Sequence, residues 1–496
     1  MPPRPPKPPL GPLGLLGGLV AIAAFMGVTL ADAPRAEAQA AKVESQTRPD
    51  FGLLLDPPPR SSRPRNHGRD RPWRWRDHYS GWRDDHGRDW DHYWRGRPDD
   101  VAAVDCGYEA SPFLLQRAVE HLRPGGTLIL RGQGCVGWLD IDKPLTIIGD
   151  ADLDPANFGP TTPATLRAPD GLPCVTVAAG VRVEIRDVVF EATNARDAAC
   201  IVGYDAEIVM RRSAIRYSGD ESAVFADGGL FDFRDGAVNA ETLGAAVVGY
   251  GATVTVNRAR VTSSSLGFEL TPGGAAPSTL SELTMLAGQR AEGYGPRAIG
   301  VLVRGSRELG RVSIAGAVIC GYDEALAVDG ASLQVTNSLI CLSRKGAVLY
   351  SGDLSIENSL VGAEDVGVAA GQGRARILNN SFYGVSRVFV VERAQVEAYG
   401  NVVYSRSACQ PGRRPRDGRR ERGRYDWFAP QGDGWECAYD DYAARDFWDR
   451  GERLMGRDYQ DYSPEWDGYD QYRNGQGWYD EDGRYHWDGD GERHRY

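Results

Sequence analysis

Four carboxylates raise the first question about chemistry. Asp220, Glu221, Asp227 and Glu269 lie close together in the chain. Two acids facing one another across a gap of about 5 to 10 Å are what glycoside hydrolysis needs, one to protonate the leaving oxygen and one to attack or to activate water. A second group, Arg290, Tyr294 and Arg297, sits in the run Gly288–Arg297, where guanidinium and aromatic groups suit an acidic sugar. Histidine excludes other options by its absence. None of the seven histidines lies between Leu122 and Asn401, so that stretch holds no Ser-His-Asp triad and no histidine-ligated zinc. His121 reads as a surface residue, and His67, His78, His86 and His92 form a loose group without a scaffold. The run Asp488-Gly-Asp-Gly-Glu492 falls short of the twelve-residue calcium loop, so calcium is not supported and no metal or cofactor is expected. Acidic residues at turns are also ordinary surface features, and that reading carries more weight here than catalysis.

The elements that must position these residues are set by a repeat. One short apolar phrase recurs ten times between Val183 and Tyr404, as in Val183-Glu-Ile-Arg-Asp-Val-Val-Phe190 and Leu354-Ser-Ile-Glu-Asn-Ser-Leu-Val361. Its central polar residues are Asp187, Arg212, Asp235, Arg258, Glu282, Gly316, Asn337, Asn358, Asn380 and Asn401. Successive gaps are 25, 23, 23, 24, 34, 21, 21, 22 and 21, and the one long gap contains Gly288–Arg297. Positions two before and three after each centre are apolar or aromatic, from Ile185 and Phe190 to Tyr399 and Tyr404. The register at Asn380 and Asn401 allows a slip of one, because Ile377 and Ala398 also suit an inward position. Helical periodicity is absent, so stacked short strands are expected, rising about 4.8 Å per coil. The central column predicts alternating ion pairs up to Glu282 and an asparagine ladder after Gly316. A second strand in each repeat sends Phe225, Val248, Glu269, Leu302, Val348 and Ala369 outward, an apolar face that wants a cover.

Ahead of the repeat, Ser111 can cap a helix that starts at Pro112, carries Leu114, Leu115, Ala118, Val119 and Leu122, and stops at Pro124-Gly-Gly126. The segments Leu115-Gln-Arg-Ala-Val-Glu120, Pro124-Gly-Gly-Thr-Leu-Ile-Leu130 and Asp140-Ile-Asp-Lys-Pro-Leu-Thr-Ile-Ile-Gly149 resemble the opening of the pectin-lyase-like superfamily. The resemblance spans about residues 106–404. It implies an all-β fold: a single-stranded right-handed parallel β-helix solenoid with an N-terminal capping helix. It leaves function open, since the family holds lyases, hydrolases, esterases, epimerases and non-enzymes. The Asp-Phe segment Gly229–Gly236 lacks the accompanying esterase signatures, and no polygalacturonase or pectate-lyase motif is present.

The flanks differ in kind. Residues 1–40 read as a signal peptide, with Arg4 and Lys7 before an apolar run and Ala38-Gln-Ala40 as a cleavage pattern; the alternative for so long an apolar run is an uncleaved membrane anchor. Residues 41–100 and 409–496 are poor in aliphatics and rich in Arg, Asp, Trp, Tyr and Gly, so both are expected to be disordered around a β-helix of residues 101–408. Eight cysteines in an exported chain predict disulfides. Cys320 with Cys341 and Cys174 with Cys200 occupy equivalent places in successive coils; Cys106 with Cys135 and Cys409 with Cys437 follow by elimination.

The expectation is therefore a secreted or periplasmic β-helix that binds or organises polysaccharide at the cell envelope without catalysis. The alternative is a polysaccharide lyase or glycoside hydrolase acting on an acidic glycan. Nucleic acid is not expected as a partner, since the basic stretch Arg413–Arg424 sits in an exported chain of net charge −11, and no membrane span remains after signal removal. Self-association through the aromatic tails or the apolar outer face is the other partnership expected.

Overall fold

The computed structural model describes residues 99–106, 112–132, 134–150, 164–195, 198–273, 276–288, 298–306, 308, 310–405, 408, 435–438, 441–460, 477–479 and 485–487. The expected signal peptide, the tract up to residue 98, Ser111, Arg290, Tyr294, Arg297 and Cys409 lie outside the described residues.

The chain is a parallel β-helix. Each coil contributes a strand to three faces, and every strand hydrogen-bonds to its counterpart one coil on. The first face stacks Ile201–Tyr204, Val224–Asp227, Ala245–Tyr250, Leu266–Thr271 and Ile299–Arg304 in register. The second face begins with Arg182–Arg186 and Glu207–Arg211, and the third with Val188–Ala195 and Ala214–Gly219. Later strands such as Leu339–Glu357 turn corners and serve more than one face. Alternation within each strand sends one set of apolar side chains into a continuous core, where Ile185, Met210, Phe233, Val256, Leu280, Ile314, Val335, Ile356 and Ile377 are each no more than 1% exposed.

From Asp187 onward, the corner between the second and third faces is a left-handed residue. Asp187, Arg212, Asp235, Arg258, Glu282, Gly316, Asn337 and Asn358 all have φ between 46° and 63°. In the last two coils the corner residues are Asn379 and Gly400, so the register slips by one from the Asn380 and Asn401 of the sequence reading. The physical reason is packing: Ile377 and Phe382 take the core positions, while Leu378 and Tyr383 face outward. Asn380 and Asn401 instead stand just past the corner, each 1% exposed, and continue a buried ladder begun by serines. Backbone N–H groups of Ala317, Ser338, Ser359 and Asn380 donate to Ser338 Oγ (3.2 Å), Ser359 Oγ (3.1 Å), Asn380 Oδ1 (2.9 Å) and Asn401 Oδ1 (3.0 Å). The ladder satisfies donors that the turn would otherwise leave buried and unpaired.

The charged half of the corner forms ion pairs between adjacent coils. Arg212 donates to both oxygens of Asp187 (2.8 and 2.7 Å), and Arg258 does the same to Asp235 (2.6 and 3.0 Å). Both arginines are about half exposed, 52% and 48%, so each pair contributes at most about 1 kcal/mol. Arg212→Glu should therefore lower the unfolding free energy in urea by no more than about 1 kcal/mol; a change indistinguishable from zero would remove the pair from the list of stabilising contacts.

Helix α1 (Pro112–His121) seats Leu115, Ala118 and Val119 on the core at the start of the solenoid. Gln116 ties it to the Asp140 backbone in both directions, at 3.1 and 2.8 Å. Strand order starts at Asp99, slightly ahead of the expected boundary, because Asp99–Asp105 pairs with Leu122–Arg131. Three disulfides join neighbouring coils as expected: Cys106–Cys135, Cys174–Cys200 and Cys320–Cys341, with Cα separations of 4.4, 4.7 and 4.6 Å. Cys437 is also disulfide-bonded.

The region after residue 409 is not wholly without structure. Trp435–Cys437 pairs with Asn401–Tyr404 as one more strand of the third face. Helix α2 (Asp441–Gln460) then lies on that face. Phe447, Gly451, Leu454 and Met455 recur at helical spacing, and the first stacks on Tyr383 (4.3 Å, 3°), which stacks in turn on Tyr404 (4.8 Å, 6°). Gly362 leaves the space that the Phe447 ring fills; a side chain there would collide with it. Phe447 and Trp448 meet the coils of Gly362 and Gly384, Gly451 meets Leu342, and Met455 meets Gly321. The helix therefore runs back along the rod, about 12 Å for eight residues against two coils of roughly 4.8 Å. The helix thus covers the third face, while the outward side chains of the first face, Phe225, Val248, Leu302, Val348 and Ala369, are themselves less than a tenth exposed.

Candidate functional site

The outer side of the first face carries the residues that sequence reasoning singled out, together with others it passed over. Register places Val202, Phe225, Val248, Glu269, Leu302, Ala327, Val348, Ala369 and Val390 in one outward column. From Phe225 onward every member is less than a tenth exposed. A neighbouring column, two residues further along each strand, runs Tyr204, Asp227, Tyr250, Thr271.

Two acids of this face, Glu269 in the first column and Glu324 in a third that runs Ile299, Glu324, Lys345, Val366, are held in ion pairs. Glu269 is 0% exposed; its Oε1 accepts from Arg304 Nη1 at 3.0 Å and from the Tyr250 hydroxyl at 3.4 Å. Glu324 is 1% exposed; its oxygens accept from Lys345 Nζ at 3.0 Å and from the Tyr350 hydroxyl at 2.9 Å. A carboxylate sealed beside a cation in this way is a structural charge pair, since a general acid or nucleophile must reach its substrate.

The other candidate acids are dispersed. Asp220 is exposed at the corner between the third and first faces, held through its N–H to the Ala195 carbonyl (3.3 Å). Glu221 follows it, its N–H donating to the Tyr217 hydroxyl (3.1 Å). Asp227 closes the strand Val224–Asp227, seven residues on from Asp220 and past the corner, so at most about 23 Å away at about 3.3 Å per residue. Glu269 lies two coils beyond Asp227 and two residues back, roughly 12 Å between Cα atoms at the spacing of stacked strands. Its carboxylate is held between Tyr250 and Arg304.

What the face does assemble is an aromatic row. Tyr204 meets Phe225 edge-to-face (6.0 Å, 64°), and Phe225 meets Tyr250 likewise (5.9 Å, 67°). Tyr204 is 47% exposed, among the most exposed large apolar side chains described. Asp227 stands between Tyr204 and Tyr250, one coil from each. Burial raises the Tyr204 pKa, and the charge of Asp227 raises it further, so the hydroxyl stays neutral. The signal for this row was available as the last residue of each of these strands, but only coil counting brings Tyr204, Asp227 and Tyr250 into one column.

A shallow groove of about 480 Å³ follows further along the rod, floored by Gly305, Gly330, Gly352 and Gly373 and edged by Ser306, Glu308, Ser351 and Gln372. Among the described residues no three histidines, cysteines or carboxylates gather as a metal site, and no helix is long and apolar enough to cross a membrane.

No protein-family model and no curated protein matches the chain. Among solved structures it is similar to the catalytic domain of a GH87 α-1,3-glucanase in complex with nigerose, at 12% identity over 62% of this chain and 70% of that one, with a TM-score of 0.33. It is also similar to a tailspike protein of an Acinetobacter baumannii bacteriophage, a capsular polysaccharide depolymerase, at 9% identity over 62% and 58% of the two chains, TM-score 0.24. A PL6 family alginate lyase gives 9% identity over 68% and 53%, TM-score 0.25.

Proposed function

We propose that this β-helix binds and organises polysaccharide along its first face without cleaving it. The observation that carries the reading is the row Tyr204–Phe225–Tyr250, set on three successive coils with Asp227 in its midst. Sugar rings present apolar C–H faces that stack on aromatic rings, while their hydroxyls donate to carboxylates. Coils spaced about 4.8 Å apart repeat such contacts along the rod, in step with a chain of rings laid parallel to its axis. Glu269, on the same face, is fully buried and engaged by Arg304, which leaves it no reach to a substrate.

Inter-coil disulfides suit an oxidising compartment, which favours the periplasm or the exterior of the cell as the place of action. The Trp- and Tyr-rich tails would add further stacking groups around the rod.

The test is affinity electrophoresis of the full chain through gels containing neutral, acidic or amino-sugar polysaccharides. At least one should retard the protein, and Tyr204→Ala should weaken that retardation roughly 2- to 10-fold, the equivalent of about 0.5–1.5 kcal/mol of ring contact. Retardation unchanged by the substitution would remove the aromatic row from the binding site. A gel polysaccharide that is shortened during the run would favour the alternative, a lyase or hydrolase.

A further inference from the structure

Resting on the reading above, we infer that the group seated between Tyr204 and Tyr250 is a protonated amine, so that the polysaccharide is an amino-sugar glycan with free amines. The inference starts from charge. Asp227 is half-buried, and no ion pair to it is found among the described residues, while the arginines of the neighbouring coils are engaged elsewhere. Arg304 is committed to Glu269, Arg182 to Glu207, Arg234 to Asp232 and Arg258 to Asp235.

A second carboxylate adjoins. Asp205, in the left-handed conformation at φ 47°, lays Oδ1 over Gly228, the residue after Asp227. Any side chain at that position would collide with the carboxylate, so the glycine keeps the place open for it. On the far side of the row, Glu269 is fully buried and its Oε2 accepts no hydrogen bond, while Oε1 takes the Tyr250 hydroxyl.

The aromatic rings select the same ligand. Tyr204 and Tyr250 stand two coils apart, so a cation resting on Asp227 lies about 5 Å from each, within the roughly 6 Å reach of cation–π attraction. An ammonium group there gains a carboxylate and lies beside two tyrosine rings at once. A uronate would meet Asp205 and Asp227 as like charges, and a neutral N-acetyl sugar would leave Asp227 without its counter-ion. The partial exposure of Tyr204 keeps the position open to a polymer arriving from solution.

The experiment is calorimetric titration of the full chain with glucosamine oligomers, their N-acetylated counterparts of equal length, a polyuronate and polylysine. The free-amine oligomer is expected to bind at least about tenfold more tightly than the acetylated one near pH 5.5, and to lose that advantage near pH 9 as the amines deprotonate. Asp227→Asn should abolish the preference and Asp227→Glu should keep most of it, with circular dichroism confirming the fold of both. Equal affinity for the two oligomers, or a preference that survives Asp227→Asn, overturns the inference and leaves polysaccharide binding standing. Binding of polylysine alone, of the polyuronate in preference, or of no oligomer overturns the inference; the polysaccharide reading falls only if no polysaccharide retards the chain.

Discussion

Lys345→Met is expected to destabilise the solenoid by about 3–5 kcal/mol, the loss typical of removing one partner from a buried ion pair. The Lys345 side chain is 5% exposed and that of Glu324 1%, and the two are register partners on adjacent coils of the first face. Their surroundings are apolar, with Ala327 and Val348 at 0% exposure. Without the ammonium, the Glu324 carboxylate would keep the Tyr350 hydroxyl but lose its counter-charge in a site poor in water. Replacing both partners, Glu324→Leu with Lys345→Met, should recover most of the loss, because apolar side chains suit the column equally well. The measurement is urea denaturation followed by tryptophan fluorescence, on single and double variants. A single-variant loss below about 1 kcal/mol would mean the pair is effectively solvated.

Phe447→Ala is the second large effect. The ring is 6% exposed and sits between Tyr383 and the place left open by Gly362, and truncating a buried aromatic costs about 3–5 kcal/mol. Helix α2 is rich in charged residues on its other sides and has little reason to stay helical once undocked. The expected result is local: loss of helical circular dichroism and new protease cleavage within Asp441–Gln460, with the solenoid still folded. Gly362→Leu attacks the same contact from the opposite side and should reproduce the pattern. Continued protection of the helix in both variants would show that Leu454, Met455 and the Cys437 disulfide hold it without the aromatic stack.

The architecture was legible because its cause is periodic. Inward positions such as Ile185, Met210 and Phe233 repeat with the coil, and equivalent cysteines in successive coils, Cys320 with Cys341 and Cys174 with Cys200, become neighbours by the same arithmetic. The slip at the last two coils arose where the pattern is degenerate: Ile377 and Leu378 are both apolar, and Asn379 and Asn380 are identical, so only core packing chooses between them. Helix α2 was hidden by composition. Counting aliphatics in the tail misses that Phe447, Gly451 and Met455 lie four residues apart and that one aromatic ring can anchor a helix of otherwise polar sequence. The candidate site was half legible. Glu269 was placed correctly on the outward column, but its partner Arg304 lies 35 residues away and could be found only from coil register. Tyr204 and Tyr250 flank the strand residues to which the outward pattern drew attention, and their meeting around Asp227 depends on the same register.

On the proposal made above, the first face holds glycan and leaves it intact. The decisive measurement incubates the protein with each polysaccharide that retards it and follows the polymer's molar mass by light scattering, alongside reducing ends and unsaturated uronate absorbance. A stable complex with unchanged molar mass is expected, the same for the native chain, Glu269→Gln and Asp220→Asn. A falling molar mass that either substitution abolishes would contradict the proposal and make this face an active site.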